Sequence, residues 1–322
     1  MPSGVSAMEK RALGTTGLWL SRLCFGTLTL SPLQKNLPPE KGAELLLYAF
    51  ERGVNVLDTA ELYDNYPAIA LALKRWQGEP IYVSTKCYAY DRATAQKSFD
   101  LARKKLDRDV IDIFMLHEQE SEHTLRGHAE ALDFFAEQRE KGTIRAVGMS
   151  THFVAGVRGA TPHPGLDLVH PIYNVSGIGI VDGNRGDMEA AVQECSRAGK
   201  GILAMKPLGG GHLMKRRDEA LRYVLDAPEV TSIALGMQSI AEIDYNLAVF
   251  SGENPSSYAD LVDAQSRRLQ IHDWCVACGR CIQRCQQSAL YIEDGRAVVD
   301  QQKCILCGYC ASVCPEFCLK VV

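Results

Sequence analysis

Nine of the twelve cysteines lie close together, between Cys275 and Cys318. Eight of the nine form two runs with the same spacing, Cys-x2-Cys-x2-Cys-x3-Cys, and the second run ends in Cys314-Pro315. Thiolates bind soft metals, whereas a disulfide framework, the other use of dense cysteines, belongs to oxidising compartments. Because the N-terminus lacks the basic and apolar pattern of a secretory leader, we expect these cysteines to hold metal.

The spacing indicates which metal centre the runs hold. Three cysteines separated by two residues each can bind three corners of one iron–sulfur cube. The fourth cysteine, separated from the third by three residues, binds the other cluster. A zinc site, the alternative, rarely uses three cysteines at such short and even gaps. The runs therefore predict two [4Fe–4S] clusters, one held by Cys275, Cys278, Cys281 and Cys314 and the other by Cys304, Cys307, Cys310 and Cys285. The surplus Cys318 is expected to be a buried thiol.

A second set of chemistry-bearing residues follows short apolar segments earlier in the chain. Asp58, Tyr63, Lys86 and His117 each lie at or just past the end of such a segment. A lysine cation lowers the pKa of a neighbouring phenol, and an aspartate keeps that lysine charged and in place. A histidine can hydrogen-bond an oxygen on which charge develops. Brought together, the four side chains would protonate an alkoxide as a hydride reaches a carbonyl carbon.

The elements that must position these residues follow a regular alternation. Apolar runs of strand length alternate with stretches whose apolar residues lie three and four positions apart, as in amphipathic helices. This order predicts a parallel sheet closed into a (β/α)8 TIM barrel, in which active sites lie at the C-terminal ends of the strands. A doubly wound sheet is the rival, but Gly26-Thr27-Leu28 does not continue as its glycine motif. The predicted strands are 23–28, 54–57, 81–84, 111–116, 145–149, 166–172, 201–205 and 232–235.

Three segments are expected along the chain. The barrel is assigned to residues 1–255, a linker with a short helix to 256–272, and a small α+β iron–sulfur unit to 273–322. The helix is expected from Ala259 to Leu269. In the small unit, the Asp294-Gly295 pair between two apolar segments predicts a hairpin turn.

The overall composition narrows the class of protein. The chain of 322 residues carries 35 lysines and arginines against 39 aspartates and glutamates, a net charge of −4, with neither sign in long runs. This balance gives no reason to expect a nucleic acid or an anionic membrane as partner. No apolar stretch reaches the roughly eighteen residues of a membrane span. We therefore expect a cytoplasmic protein without membrane insertion.

Seven short motifs occur along the first 250 residues: Gly14-x-Thr16-Gly17-x4-Arg22-x3-Gly26-Thr27, Asp58-Thr59-Ala60-x2-Tyr63, Ser84-Thr85-Lys86, Leu116-His117, Val147-Gly148-x-Ser150, Tyr173-Asn174 and Pro207-Leu208-Gly209-x-Gly211. Through them residues 9–250 resemble the aldo-keto reductases, and residues 272–322 resemble a two-[4Fe–4S] bacterial ferredoxin domain. The first resemblance implies NAD(H) or NADP(H) as cofactor and a catalytic tetrad in which Tyr63 is the general acid, Lys86 and Asp58 tune it, and His117 orients the carbonyl. It also implies cofactor contacts from Gly26, Thr27, Ser150, Asn174, Pro207, Leu208, Gly209, Gly211, Gly236, Gln238, Glu242 and Asn246.

The chain departs from the family pattern where the cofactor would bind. Thr151 and His170 replace an asparagine and a glutamine that hold the nicotinamide carboxamide, and Met205 replaces an aromatic residue that stacks on the ring. Glu242 stands where the family has an arginine for the 2′-phosphate, and Tyr245 replaces a glutamate. A carboxylate repels that phosphate, so these residues favour NAD(H).

These observations predict an oxidoreductase that reduces a carbonyl, or oxidises an alcohol, with a nicotinamide cofactor and uses its clusters for electron transfer. Its partners would be a small carbonyl or alcohol substrate and a redox partner protein or carrier. Two alternatives stay open. The clusters can be structural or oxygen-sensing, or the chain can be a non-catalytic redox or binding module built on a barrel.

Overall fold

The computed structural model describes residues 8–263 and 265–322. Its strands are β1 (Lys10–Ala12), β2 (Trp19–Ser21), β3 (Leu23–Gly26), β4 (Val56–Asp58), β5 (Tyr82–Cys87), β6 (Ile111–Leu116), β7 (Ile144–Thr151), β8 (Leu168–Pro171), β9 (Gly201–Met205), β10 (Ser232–Gly236), β11 (Leu269–Ile271), β12 (Leu290–Glu293), β13 (Arg296–Val299) and β14 (Leu319–Val321). Its α-helices are α1 (Pro39–Phe50), α2 (Tyr66–Arg75), α3 (Arg92–Leu106), α4 (Glu122–Gly127), α5 (Ala129–Glu140), α6 (Val154–Ala160), α7 (Arg185–Arg197), α8 (Arg217–Leu225), α9 (Ile240–Phe250), α10 (Ser256–Asp263) and α11 (Arg280–Arg284). Within the described ranges, none of these helices has the length and apolar character needed to cross a bilayer.

Eight of the strands run parallel and close on themselves in the order β10-β3-β4-β5-β6-β7-β8-β9. Each strand packs against the barrel interior on one face and against helices on the other, which is why its residues read as continuous apolar runs. Strand β6 is buried at every position. The predicted (β/α)8 barrel is confirmed. The antiparallel hairpin of β1 and β2 precedes the first barrel strand.

The C-terminal unit consists of two small antiparallel sheets and helix α11. Strands β12 and β13 form a hairpin through Asp294 and Gly295, whose φ angles of 47° and 75° are those that a type I′ turn requires. Strand β11 pairs with the C-terminal strand β14. Leu269, Leu290 and Val321 are buried together with cysteines in a core separate from that of the barrel.

The segment that joins the two units differs from its prediction. Helix α10 ends at Asp263, and Leu269, expected at the end of a helix, begins strand β11 instead. Leu269 is buried in the core of the small unit and lies opposite Val321 in the sheet. The apolar residues of this segment therefore serve a strand pairing with the far end of the chain, which local periodicity does not reveal.

The small unit docks on the C-terminal face of the barrel through the turn Gly209–Gly211 that follows β9. A Cβ atom on Gly211 would lie 2.2 Å from the Val321 carbonyl oxygen, so only glycine lets β14 approach this closely. His212 Nε2 lies 2.9 Å from the Leu319 carbonyl oxygen, and Gln270 donates to the Leu33 carbonyl at 2.9 Å. These contacts place the cysteine-rich unit beside the strand ends where barrel chemistry occurs.

Candidate active site and metal centres

The four predicted catalytic residues lie at neighbouring positions on the C-terminal face of the barrel. Asp58 is the last residue of β4, Lys86 lies near the end of β5, and His117 directly follows β6. Tyr63 closes a 3-10 turn that begins three residues after Asp58. Because adjacent parallel strands end at the same rim, the strand order itself brings the side chains together.

A buried ion pair forms the base of the site. Lys86 Nζ lies 2.7 Å from each carboxylate oxygen of Asp58 and 2.7 Å from the Thr59 carbonyl oxygen. The Lys86 and Asp58 side chains are only 1% and 6% exposed. Burial would raise the pKa of Asp58, but the charges of Lys86 and His170 outweigh it and hold that pKa below its usual range. Asp58 is therefore a carboxylate at neutral pH.

The structure changes the role expected for Lys86. All three of its protons are directed at oxygens of Asp58 and Thr59, and its Nζ lies over the Tyr63 ring, 5.4 Å from the centroid. Burial, followed by the charge of Asp58, raises the pKa of Tyr63 well above its ordinary value. The predicted lowering of the phenol's pKa was wrong, because burial is the larger effect and the Asp58 carboxylate adds to it. Tyr63 accordingly stays protonated in the free protein and is available as a proton donor.

His117 lies beside the phenol as a neutral imidazole. Its ring centroid is 6.0 Å from that of Tyr63, and Tyr88 stacks on its other side at 4.6 Å. Burial, reinforced by the charges of Lys86 and Lys206, lowers its pKa well below 6.5. Its buried Nδ1 has no hydrogen-bond partner among the described residues. A neutral ring packed this way can orient a carbonyl by hydrogen bonding without adding a charge.

His170 joins the site in a way that sequence reasoning missed. The sequence marked it as a departure at a cofactor position, but its Nε2 lies 3.5 Å from Asp58 Oδ2 and its Nδ1 contacts the Leu203 carbonyl oxygen. The ring is 1% exposed. Its position in β8, across the barrel from β4, was the available signal, because inward-pointing residues of a barrel meet in layers.

Two cavities meet at Tyr63. The first, with a volume of about 580 Å³, is bordered by Tyr63, His117 and Tyr88 on the barrel side and by Trp274, Pro315 and Phe317 of the small unit. This volume falls within the roughly 300–1,000 Å³ of typical ligand pockets. The small unit thus supplies one wall of the candidate substrate site.

The second cavity runs from Asp58 and Tyr63 to the start of helix α9. Eight of the twelve residues predicted to contact the cofactor line it: Gly26, Pro207, Leu208, Gly211, Gly236, Gln238, Glu242 and Asn246. Thr27, Ser150, Asn174 and Gly209 do not. The Thr27 hydroxyl donates to the Asp58 backbone carbonyl at 3.0 Å, and the Ser150 hydroxyl accepts from the Glu118 backbone amide at 2.9 Å. The Asn174 side chain donates to the Ile178 carbonyl within its own loop.

The N-terminus of α9 already carries a carboxylate. Glu242 is 7% exposed, accepts from the Gln238 amide at 2.8 Å and pairs with Arg267 at 2.8 Å. Arg217, which also lines the cavity, pairs with Asp263 at 2.6 Å. A helix N-terminus attracts anions, so Glu242 occupies with its own side chain the place where a phosphate would bind. Repulsion between Glu242 and a 2′-phosphate, expected from the sequence, is only part of the effect, because Arg267 balances the negative charge of Glu242.

The cysteines gather as the crossed assignment requires. One small cavity is lined by Cys275, Cys278, Cys281 and Cys314, with the surplus Cys318 beside them, and a second by Cys285, Cys304, Cys307 and Cys310. All twelve cysteines are free, so no disulfide competes. Across residues 8–263 and 265–322 no three His, Cys, Asp or Glu side chains are arranged to hold a single metal ion. Five thiols around one cavity and four around the other supply the four ligands that each iron–sulfur cube needs, and such sets fit cubes better than zinc ions.

Cys318, the surplus cysteine, is buried beside the first of these sets. Its sulfur lies 3.5 Å from that of Cys314. This hydrogen bond, together with burial, raises the pKa of Cys318 well above its ordinary value. A neutral thiol next to a ligand sulfur matches the buried thiol that the sequence predicted.

Comparisons with known proteins agree with both units. The family model described as the aldo/keto reductase family matches residues 22–220, and the model described as a 4Fe-4S dicluster domain matches residues 269–315. The chain is 24% identical over 285 residues to L-galactose dehydrogenase of Arabidopsis thaliana, covering 76% of this chain and 88% of that protein. It is 25% identical over 194 residues to the NADH-specific methylglyoxal reductase of Escherichia coli, covering 52% of this chain and 60% of that enzyme.

Among solved structures, an aldo-keto reductase from Bacillus halodurans in its holo form matches with a TM-score of 0.64 at 20% identity. The match covers 80% of this chain and 95% of that one. At this level of identity the likeness concerns the fold, and it agrees with the closed barrel.

Proposed function

This chain belongs to the aldo/keto reductase family, and we propose that it transfers hydride between a nicotinamide cofactor and a small carbonyl or alcohol at Tyr63. The observation that carries the proposal is the meeting of two cavities at one half-buried, protonated phenol. One cavity is lined by most of the residues that the family pattern assigns to the cofactor. The other has the size of a site for a small substrate.

Each residue of the tetrad has a task in this reaction. Tyr63 donates its proton to the carbonyl oxygen as the alcohol forms. The Lys86–Asp58 pair fixes the floor under the phenol and supplies a positive group near the developing phenolate. His117 hydrogen-bonds the carbonyl oxygen and, being neutral, does not compete as the acid. Preorganised groups of this kind act without rearranging when charge develops.

The second cavity is bordered by residues that the family pattern assigns to a dinucleotide, which would supply the hydride. At about 140 Å³ the cavity would admit it only after part of the lining moves. Pro207, Leu208 and Gly211 border one side, and Gly236 and Asn246 the other. Two of the cations that line this cavity, Arg217 and Arg267, are each paired with a carboxylate, Asp263 and Glu242. We propose that the cofactor is NAD(H), because a 2′-phosphate would have to break one of these pairs and displace Glu242 from the helix N-terminus.

We propose further that the two clusters exchange electrons with this site. Each [4Fe–4S] cluster stores one electron, so the pair matches the two electrons of one hydride. The support is proximity: Pro315, Glu316 and Phe317 line the substrate cavity and directly follow the ligand Cys314 in the chain. The alternative, structural or oxygen-sensing clusters, predicts no exchange of electrons with this site.

The decisive test is the substitution Tyr63→Phe, assayed anaerobically with NADH and a panel of small aldehydes and ketones. General acids contribute about 10²–10⁴-fold, so we expect kcat to fall by about 100-fold or more. The dissociation constant of NADH, measured by fluorescence titration, should change only a few-fold, since the phenol acts when the proton moves.

The matched control is Tyr88→Phe, another tyrosine of the same cavity, whose hydroxyl donates to the Glu118 carboxylate at 3.0 Å. We expect its kcat to stay within about fivefold of wild type, an allowance for one exposed hydrogen bond. A Tyr63→Phe protein with wild-type turnover would contradict the proposal and favour a non-catalytic module.

A further inference from the structure

Two lysines of the substrate cavity have no acidic partner. Lys206 follows β9 on the barrel, and Lys320 lies in β14 of the small unit. Neither forms an ion pair within the described residues. Lys320 is only 5% exposed, although lysine is rarely buried without a counter-charge. Both side chains line the cavity that also contains Tyr63 and His117.

The groups around the two ammonium ions are neutral. Lys206 Nζ lies 2.6 Å from His152 Nε2, and His152 Nδ1 lies 3.1 Å from the Gly179 carbonyl oxygen. This arrangement makes His152 a neutral acceptor, in agreement with burial, which lowers its pKa well below 6.5. Lys320 Nζ donates to the Phe317 carbonyl and lies 3.0 Å above the Phe317 ring. Ring and carbonyl dipoles hold the cation without cancelling its charge.

The acidic residues of the cavity lie at its rim. Glu118, Glu120 and Glu316 line it but are exposed to solvent, and none of them pairs with either lysine. Burial lowers the pKa of Lys206 to about 8 and that of Lys320 well below its ordinary value, while the charge of Glu118 acts on both in the opposite sense. A buried charge is costly unless an opposite charge meets it. The floor of the cavity therefore carries two lysines without a direct ion pair, which the exposed Glu118 offsets only from the rim.

The lysines also mark where an anion would lie relative to the reaction. Lys206 and Lys320 line both cavities, as do Leu28, Tyr63 and Met205. These five residues form the junction at which hydride and proton would reach the substrate. The helix N-terminus with Glu242 lies at the other end of the cofactor cavity. The two cations consequently face the reacting end of the site.

From this geometry we propose that the substrate is a carbonyl compound bearing an anionic group, which Lys206 and Lys320 bind. The inference rests on the proposed carbonyl chemistry at Tyr63 and adds the class of substrate. The iron–sulfur unit then takes part in substrate recognition, because Lys320 belongs to it. Either a carboxylate or a phosphate ester can form ion pairs with Lys206 and Lys320. The experiment below distinguishes these two anionic groups.

The test compares pairs of substrates that differ in charge: glyoxylate with glycolaldehyde, succinic semialdehyde with butanal, 4-carboxybenzaldehyde with benzaldehyde, and glyceraldehyde 3-phosphate with glyceraldehyde. For each pair the ratio of kcat/KM, anion over neutral, is measured anaerobically in wild type, Lys206→Met and Lys320→Met. We expect at least one anion to be favoured tenfold or more. Each substitution should reduce that ratio at least tenfold, mainly through KM. The control Lys303→Met alters an exposed lysine of the small unit and should keep the wild-type ratio.

A binding measurement separates this inference from the proposed reaction. Calorimetry with benzoate and benzamide as probes needs no turnover, and benzoate should bind wild type but lose at least tenfold in affinity in either lysine variant. If neutral and anionic carbonyls are reduced equally well, the inference fails while the reductase stands. If nothing is reduced but benzoate binding depends on the lysines, the anion site stands and the proposed reaction fails. If the substitutions weaken NADH binding and leave the substrate ratios unchanged, the cations serve the cofactor and the inference is overturned.

Discussion

Lys86 shows how strongly one buried contact decides the chemistry of a residue. Its ammonium group lies 2.7 Å from three oxygens of Asp58 and Thr59, and burial together with the Asp58 charge raises the pKa of Tyr63. The sequence motifs correctly predicted that Lys86 and Asp58 lie at the same rim of the barrel. They could not predict which oxygens the Lys86 ammonium group contacts. His170, which also contacts Asp58, was hidden for the same reason.

The cofactor preference is a second question at the scale of residues. The substitution Glu242→Gln removes the carboxylate at the α9 N-terminus and leaves Arg267, now unpaired, beside the vacated place. We expect wild type to bind NAD(H) at least as tightly as NADP(H). In Glu242→Gln, a charge-assisted bond of about 1.5–3 kcal/mol becomes available to the 2′-phosphate. The NADP(H) dissociation constant should fall about tenfold relative to that of NAD(H).

The control for this prediction is Glu219→Gln, which frees Arg216 from an exposed pair outside the cavity. It should leave the ratio of the two dissociation constants unchanged. A wild-type protein that binds NADP(H) tenfold more tightly than NAD(H) would contradict the prediction. An unchanged ratio in Glu242→Gln would show that the phosphate end of the cofactor lies away from α9.

At the scale of elements, hydrophobic patterning located every barrel strand. The runs predicted at 111–116 and 201–205 coincide with β6 and β9, and the others differ at their ends by a few residues. These strands are buried on both faces, so their composition alone marks them. Strand β11 escaped prediction because it has three residues and its stability comes from pairing with β14, about fifty residues away in sequence.

The crossed arrangement of the cysteine runs gives a prediction at this scale. Cys285 belongs to the first run but lies with Cys304, Cys307 and Cys310. We expect anaerobically purified wild type to contain about eight iron and eight acid-labile sulfide per chain, two four-iron cubes. Cys285→Ala should lose close to half of both, and the cluster that remains should be the one bound by the other three cysteines of its own run. Iron and sulfide assays, with electron paramagnetic resonance of the reduced protein, measure this.

The matched control is Cys318→Ala, which removes a buried cysteine that is not assigned as a ligand. It should retain all eight irons. Cys285 is the better target than Cys314, because Cys318 lies 3.5 Å from Cys314 and is placed to replace it. Stoichiometric zinc without sulfide in wild type would contradict the assignment of the metal.

For the whole molecule, the important feature is that the small unit completes both cavities of the barrel. Val262 and Arg267 from the joining segment, and Lys320 and Val321 from β14, line the cofactor cavity, which has a volume of only about 140 Å³. That is less than typical ligand pockets of roughly 300–1,000 Å³, so a dinucleotide has to displace part of this lining. Sequence motifs predicted the two units, but their relative placement depends on surface complementarity at Gly209–Gly211, which no local pattern encodes.

The last prediction tests whether this docking carries electrons. Gly211→Ala puts a Cβ atom 2.2 Å from the Val321 carbonyl oxygen and should push β14 away from the barrel. Gly142→Ala is the matched control, since its φ of +73° imposes a similar left-handed strain of about 1–2 kcal/mol with no atom within 4 Å of the new Cβ.

In an anaerobic titration, one NADH gives NAD⁺, a proton and two electrons, one for each cluster, and the cluster absorbance of wild type should bleach. Because Gly211 also borders the cofactor cavity, bleaching is compared at NADH concentrations that saturate each variant. We expect Gly211→Ala to bleach at least tenfold more slowly than Gly142→Ala and to unfold at a lower temperature. If wild type does not bleach, the clusters do not exchange electrons with the barrel site, although the reductase activity can stand without them. If both variants bleach at the wild-type rate, the electrons do not depend on the contact between β14 and the Gly209–Gly211 turn.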